Sequence, residues 1–388
     1  MVFLIHLCVI IDRTHPNTKL GLSVGGISNQ ILLLLNSYEK INGIKVSLIT
    51  RFSKYKPGSD RIKIYKIHKF HNIYLDQIYF NIKTYKTILK IHKREPIDIL
   101  NIHHYTHFKI VPILIRLIYK IPLLMKLPID FEIFSRLIFE SDNLKMKIFG
   151  FSWLKFFKKF LLKKINFIRA INNKMYEDLI VLKYPKENIL RIPNGINSGE
   201  FANIEKRKKD IIHYAFVGRL VKIKNLRILL HAFKEYLSHF TSDKLFIYGF
   251  GPERDWISNF IKENKLSKSI ILCGFEKDKN RIYSNVDALI DSSLAQGISN
   301  SILEAMCTNT LVVASNVAGN RDLIKHKLTG LLFNLSKKED LLKQLLFCKN
   351  NPEIVKLIIR NAKKEILKIY DIDEITNNIY SFLKINLS

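Results

Sequence analysis

Residues 211 to 225 read Ile-Ile-His-Tyr-Ala-Phe-Val-Gly-Arg-Leu-Val-Lys-Ile-Lys-Asn, and their reading decides the fold class. Ile211 to Val217 is a short apolar run closed by Gly218, and a helical pattern starts at Asn225. A strand covered on both faces stays apolar without alternating, as this one does. The same succession recurs on both sides. Upstream, strand-like runs cover Val2 to Ile11, Val46 to Thr50, Arg61 to Ile67, Ile97 to His103, Ile165 to Ile171 and Ile189 to Ile192, with helical stretches at Ile27 to Lys40 and Tyr74 to His92. Downstream they cover Lys244 to Tyr248, Ser269 to Cys273, Asp287 to Ile290, Leu311 to Ala314 and Gly330 to Phe333.

Strands alternating with helices imply parallel βαβ units with right-handed crossovers. A chain of 388 residues is too long for one ordinary domain and suits two α/β domains. The charged, apolar-poor stretch Asn203 to Asp210 reads as their linker. The expected plan is an N-terminal Rossmann-like domain over 1–202, a second over 203–370, and a C-terminal helix over 371–388 packed back on the first. Two such domains face a central cleft, and ligands bind where strand C-termini meet it.

The chain carries 63 Lys plus Arg against 34 Asp plus Glu, a net charge of +29. That balance attracts polyanions: nucleic acid, anionic lipid or a sugar nucleotide. The abundance of Ile, Lys and Asn is also what an AT-rich genome produces, so composition alone accounts for part of the excess. No RNA-binding signature, zinc-knuckle spacing or basic tail accompanies the charge, so nucleic acid is not an expected partner. Cys8, Cys273, Cys307 and Cys348 form no CxxC pair and suggest neither a zinc site nor a disulfide framework, which fits a reducing cytoplasm. The first residues lack a basic leader and a cleavage site and read as a buried strand. Ile110 to Met125, the longest apolar stretch, is interrupted by Arg116 and Lys120 and is short for a membrane span. Lys145 to Arg169 holds eight Lys or Arg and no acid, interleaved with Phe and Leu. A helix there has one apolar and one basic face, which suits either an anionic membrane surface or a domain core.

Three elements of the C-terminal half could carry chemistry. After the strand at 211–217, Arg219 and Lys224 lie between a strand end and a helix start, a geometry that suits a diphosphate or, equally, a solvated basic loop. Gly249-Phe-Gly251-Pro252 is a glycine turn that either admits a ligand or is an ordinary βα turn, with Pro252 at the first position of a helix. In Ser292-Ser-Leu-Ala-Gln296-Gly297-Ile-Ser-Asn300-Ser-Ile302-Leu-Glu304, a helix starts near Ser301. Glu304 could accept from a ribose diol, or Ser301 and Glu304 could form a capping box.

Together, Phe216-Val-Gly-Arg-Leu with Lys224, Gly249-Phe-Gly-Pro, Gln296 through Met306, and Val312-Val-Ala-Ser with Ala318-Gly319 resemble the group 1 glycosyltransferases, family GT4, retaining enzymes of the GT-B fold. The resemblance implies a nucleotide-diphosphate sugar as donor, no metal and no other cofactor. Arg219 and Lys224 would grip the donor diphosphate, Glu304 the ribose, and Gly251, Gly297, Asn300 and Ile302 would lie along the donor. Gly25 and Gly26 match the family's glycine pair beside the donor phosphates. His103 matches its strand-end histidine near the reacting sugar, which makes His103 and Gln296 the candidate catalytic residues. Asn194-Gly195-Ile196 and Phe201 match the family's turn into the linker. The family commonly has a glutamate where this chain has Gln296. An amide can hydrogen-bond sugar hydroxyls but brings no negative charge to an oxocarbenium-like transition state. A non-catalytic subunit of the same fold that binds a nucleotide sugar or a partner transferase is the alternative this departure opens. Asp371-Ile-Asp373 is similar to the metal motif of a different transferase fold but falls in a C-terminal helical region, where it reads as surface. A lipid-linked or polysaccharide acceptor at the inner face of the plasma membrane, in lipopolysaccharide or capsule assembly, completes the expectation.

Overall fold

The computed structural model describes residues 4–11, 26–51, 55–68, 73–103, 111–127, 150, 152–201, 204–206, 211–337 and 339–387. The chain forms two compact units, residues 1–195 with 372–388, and residues 196–371.

The first unit is built on a seven-stranded parallel sheet in the order β3-β2-β1-β4-β5-β6-β7. Its strands are β1 (Ile5–Ile11), β2 (Ile44–Thr50), β3 (Ile62–Lys66), β4 (Ile99–Ile102), β5 (Leu123–Lys126), β6 (Phe167–Ala170) and β7 (Ile189–Arg191). Every residue of β1 is buried, as an apolar central strand requires. On one face, α2 (Ile73–Arg94), α3 (Val111–Tyr119) and α4 (Asn173–Val181) contribute Phe80, Ile88, Ile113, Ile115, Met175 and Leu179 to one core. The other core draws Ile31, Leu34 and Leu35 from α1 (Gly26–Tyr38) and Ile372, Ile375, Ile379 and Leu383 from the C-terminal helix α12 (Ile372–Leu387). That spacing of three and four residues is one stripe of a helix.

Of the apolar stretch Ile110 to Met125, the described part from Val111 on resolves into α3, a turn with Lys120 at φ 57°, and β5. The sequence pattern offers no separate strand there. The basic segment Lys145 to Arg169 is not a single helix. Residues 152–156 are α-helical, Phe157–Leu161 form a π turn, Leu162–Lys164 a 3-10 turn, and Arg169 lies in β6 at 2% exposure. Leu154, Phe157 and Leu162 join the core, whereas Phe156 and Phe160 are exposed at 43% and 50%. Arg169 therefore belongs to no basic face. Its guanidinium donates to the carbonyls of Ile192 and Pro193, and the buried Lys126 donates to Asn194 Oδ1 at 2.7 Å. Gln30 closes the same turn by exchanging two hydrogen bonds with the Gly195 backbone.

The second unit is a six-stranded parallel sheet in the order β10-β9-β8-β11-β12-β13. Its strands are β8 (His213–Val217), β9 (Lys244–Tyr248), β10 (Ile270–Gly274), β11 (Ala288–Asp291), β12 (Leu311–Ser315) and β13 (Leu331–Phe333). One face packs on α5 (Leu226–Leu237), α6 (Arg254–Glu263) and α10 (Asp340–Asn350), through residues such as Leu229, Phe233, Ile257 and Leu345. The opposite face packs on α7 (Lys279–Tyr283), α8 (Asn300–Cys307), α9 (Ala318–Leu323) and part of α11 (Pro352–Ile369), through Tyr283, Ile302, Met306, Leu323 and Ile366.

The division falls at Gly195/Ile196 instead of residue 202. Ile196, Phe201 and Ile204 are buried in the second unit's core, and Lys206 Nζ donates to the Tyr283 carbonyl at 2.8 Å. Charge makes 203–210 read as a linker, yet its first described residues are anchored by burial. Asp371 and Asp373 sit in different units: Asp371 accepts from Ser198, and Asp373 from Ser37 and Lys40. Each carboxylate ties chain segments together within its own unit.

His6 in β1 is 5% exposed, with Nδ1 donating to the Pro96 carbonyl and Nε2 accepting from Ser47. Burial holds its pKa below the usual 6.5, outweighing the Pro96 bond. The unfolded chain therefore takes up this proton first as pH falls, and stability is lost from about pH 7 down to the lowered pKa. Thermal melting at pH 7.5 and 5.5 should show a smaller acid loss in His6→Asn than in the unsubstituted protein.

Candidate functional site

In the second unit the strand order runs outward from β8 in one direction and from β11 in the other. Crossovers on opposite faces part at that point, and the loops after β8 and β11 leave a gap at their C-terminal ends, the place where doubly wound sheets bind ligands. Arg219 and Lys224 follow β8; Gln296, Gly297, Asn300, Ile302 and Glu304 follow β11. The expected donor residues of this unit thus converge on one switch point.

Arg219 is exposed, and no side-chain hydrogen bond or ion pair engages it among the described residues. Lys222–Lys224 form a 3-10 turn that ends at Asn225 in the left-handed conformation, ahead of α5. The turn is fastened to the loop after β11, since Leu294 N–H donates to the Ile223 carbonyl and Ser292 Oγ to that of Lys224. Lys224 Nζ donates to Gln296 Oε1 and to Ser293 Oγ at 3.1 Å, and lies 3.6 Å from Asp291 Oδ2. Gln296 Nε2 donates in turn to Asp291 at 3.0 Å and to Asn320 at 3.2 Å. Burial pushes the Asp291 pKa up, but the Lys224 charge and the bonds from Ser293 and Gln296 outweigh it and hold the carboxyl below its ordinary value. The site thus contains a buried carboxylate that spacing rules did not single out.

The glycines serve their neighbours. A Cβ on Gly249 would lie 1.8 Å from the Gly218 carbonyl oxygen, and one on Gly251 would lie 2.1 Å from that of Leu220. Gly218 N–H donates to Tyr248 and Leu220 N–H to Phe250, so the two loops run backbone to backbone. Gly251 therefore admits the Arg219 loop, which places it beside the site for a different reason from the expected one. Pro252 lies in the turn, and α6 begins at Arg254. Gly319 likewise admits the carbonyls of Gln296 and Gly297 and donates its N–H to Gln296.

The helix α8 begins at Asn300 after Ser299, and the first intrahelical donor is Leu303 N–H. The N–H groups of Asn300, Ser301 and Ile302 belong to the first turn, where no carbonyl precedes them in the helix. The Ile302 side chain is buried in the core, so the group it presents at the helix start is its backbone N–H. Glu304 forms no capping box. It is 5% exposed, and its Oε2 accepts from Lys279 at 2.8 Å and from Tyr283 at 2.9 Å. Tyr283 is buried, and burial together with Glu304 raises its pKa well above the usual phenol value. Lys279 is over a third exposed in its side chain, so this ion pair reaches the surface of the unit.

In the first unit the strand order switches between β1 and β4. His103 is buried at 2% just beyond β4, and Gly26 is the first residue of α1, which follows β1. Gly25 lies outside the described residues. Among the described residues no group of three or more His, Cys, Asp or Glu is placed to hold a metal, and the four cysteines are free thiols.

Two family profiles match the chain, "Glycosyltransferase Family 4" over residues 24–200 and "Glycosyl transferases group 1" over residues 198–365. An alpha-monoglucosyldiacylglycerol synthase of Acholeplasma laidlawii is 27% identical over 205 residues, 49% of this chain; the chain spans about half of that relative, 51%. A UDP-Gal:alpha-D-GlcNAc-diphosphoundecaprenol alpha-1,3-galactosyltransferase of Escherichia coli is 24% identical over 306 residues, 75% of this chain and 76% of its own length. Among solved structures, the Anabaena protein HepE in complex with UDP-glucose superposes with a TM-score of 0.72 at 17% identity, over 98% of this chain and 99% of that one. At that identity the likeness speaks for the fold.

Gly249 adopts φ +148°, and its missing side chain admits the Gly218 carbonyl. Gly249→Ala should cost roughly 3 kcal/mol or more, since neither backbone can yield. Gly199→Ala, whose nearest neighbour would be the Asn197 side chain at 3.4 Å, should melt within a degree or two of the unsubstituted protein.

Proposed function

The chain belongs to the family 4, group 1 glycosyltransferases of the GT-B fold, and on that premise we propose that it moves a sugar from a nucleoside-diphosphate donor to a lipid-linked or polysaccharide acceptor with retention of configuration. The observation that carries this reading is the convergence of Arg219, Lys224 and the first turn of α8 on the β8/β11 switch point. Sugar transfer requires a diphosphate to leave. The Arg219 fork, the Lys224 ammonium and three helix N–H groups would neutralise the charge that develops on it, without a metal. Glu304 would accept from the ribose hydroxyls in exchange for Lys279. Gln296 would meet the sugar. The uridine diphosphate sugars named for the Escherichia coli relative and the Anabaena structure favour a uridine donor.

The acceptor reading rests on the exposed pair Phe156 and Phe160, whose rings lie 5.4 Å apart, with Lys155, Lys159, Lys163 and Lys164 exposed around them. Apolar rings flanked by ammonium groups suit the interface of an anionic bilayer. No described helix is long and apolar enough to cross a membrane, so contact would be peripheral. Diacylglycerol and diphosphoundecaprenol occur in the names of the two relatives, in keeping with an acceptor presented at the inner face of the plasma membrane during surface polysaccharide or lipopolysaccharide assembly.

A thermal-shift panel of uridine, guanosine and adenosine diphosphate sugars tests the donor. At a hundredfold excess over Kd the cognate compound should stabilise the protein by about 3 kcal/mol and Arg219→Ala far less. If every compound leaves both proteins unmoved, the donor site is misassigned. Sedimentation with phosphatidylglycerol vesicles tests the surface: Phe156→Ser/Phe160→Ser should weaken binding by about tenfold or more, with pure phosphatidylcholine vesicles retaining little of either protein.

A further inference from the structure

Asp291 closes β11 behind three apolar residues, Ala288, Leu289 and Ile290, yet it is a carboxylate with 3% exposure. Burying such a group is costly unless its oxygens are fully engaged. Ser293 N–H donates to Oδ1 at 3.1 Å, Gln296 Nε2 donates to Oδ2 at 3.0 Å, and the Lys224 ammonium lies 3.6 Å from Oδ2. None of these contacts is needed to build the sheet. All of them end on the residues that hold or adjoin the proposed donor site.

An amide can be turned two ways, and the surroundings allow Gln296 only one. Its Nε2 faces Asp291 Oδ2 and Asn320 Oδ1. Its Oε1 faces Lys224 Nζ and Ser293 Oγ, both donors. Asn320 is fixed in turn, because its Nδ2 donates to the Ser315 carbonyl at 3.0 Å and to Ser315 Oγ at 3.3 Å. A carboxylate accepting from one end of an amide strengthens the acceptor at the other.

We infer that Asp291 is a positioning residue acting through Gln296: it locks the amide with its oxygen toward Lys224, so that Asp291 and Gln296 together hold the ammonium as a carboxylate at position 296 would. The negative charge of the site is set back by one side chain. The sugar-facing position stays neutral, while Lys224 keeps a counter-charge and a fixed place beside the start of α8. This inference rests on the donor reading above, which places Lys224 at the diphosphate.

The test uses Asp291→Asn, Gln296→Glu and the double variant in the full chain, assayed for donor cleavage with UDP-glucose, UDP-galactose and UDP-N-acetylglucosamine. Asp291→Asn should lower kcat by about tenfold with KM moved less than about threefold, and the double variant, which moves the carboxylate forward, should recover to within about threefold of the unsubstituted enzyme. Turnover unchanged in Asp291→Asn, or a double variant no better than Asp291→Asn, overturns the inference. A second readout needs no turnover. Gln296→Glu puts two carboxyl groups in contact, so one must keep a proton and its folded pKa rises. Stability is then lost as pH rises from about 4.3 through that raised value. Melting temperatures of Gln296→Glu should therefore fall between pH 5 and 8 relative to the unsubstituted protein, and those of the double variant should not. Parallel melting curves for the unsubstituted protein, Gln296→Glu and the double variant overturn the inference, and this comparison does not depend on Asp291→Asn folding alone. Absence of turnover by the unsubstituted protein counts against the donor reading, while the melting comparison still decides the coupling.

Discussion

Right-handed crossovers dictate the rest of this molecule. A parallel sheet whose helices must cover both faces has to reverse its strand order once, and at the reversal two neighbouring loops turn to opposite sides. In the second unit this happens between β8 and β11, and in the first between β1 and β4. Backbone N–H groups and a few cations gather where the loops part. The tight glycine contacts follow from the same constraint: loops that leave adjacent strands in parallel must pass within backbone distance, and Gly249, Gly251 and Gly319 admit the neighbouring chain.

The architecture was legible because a strand buried on both faces leaves an uninterrupted apolar run. Twelve of the thirteen described strands coincide with the strand-like runs, ends aside, although the edge strand β3 alternates with lysine and is only partly buried. β5 leaves no separate signal because Leu123–Lys126 follows closely on the apolar helix α3, and periodicity cannot separate a short buried strand from the helix before it. Charge density alone does not mark a linker, because Lys206 spends its charge on carbonyls of its own core.

The site was legible in part. Arg219, Lys224 and the start of α8 stand out because cations and a helix start follow strand ends. Glu304 was ambiguous because spacing alone cannot tell a reciprocal cap from a carboxylate bonded to Tyr283 and Lys279, residues more than twenty positions away. Asp291 was invisible for a related reason. An acid at the end of an apolar run looks like the edge of a strand, and its importance depends on Lys224, nearly seventy residues earlier in the chain. The basic segment shows the opposite error: by composition Arg169 counts toward a membrane face, whereas its guanidinium seals the Pro193 turn.

The first unit is not contiguous in sequence. Gly195 and Ile372 belong to it, while everything from Ile196 to Asp371 belongs to its companion. The sheet face carrying α1 is completed by Ile372, Ile375, Ile379 and Leu383, which are made only after the whole second unit. Ribosomal synthesis makes α1 first, so its oily face stays bare while the second unit emerges. For this protein the hazardous interval is translation itself.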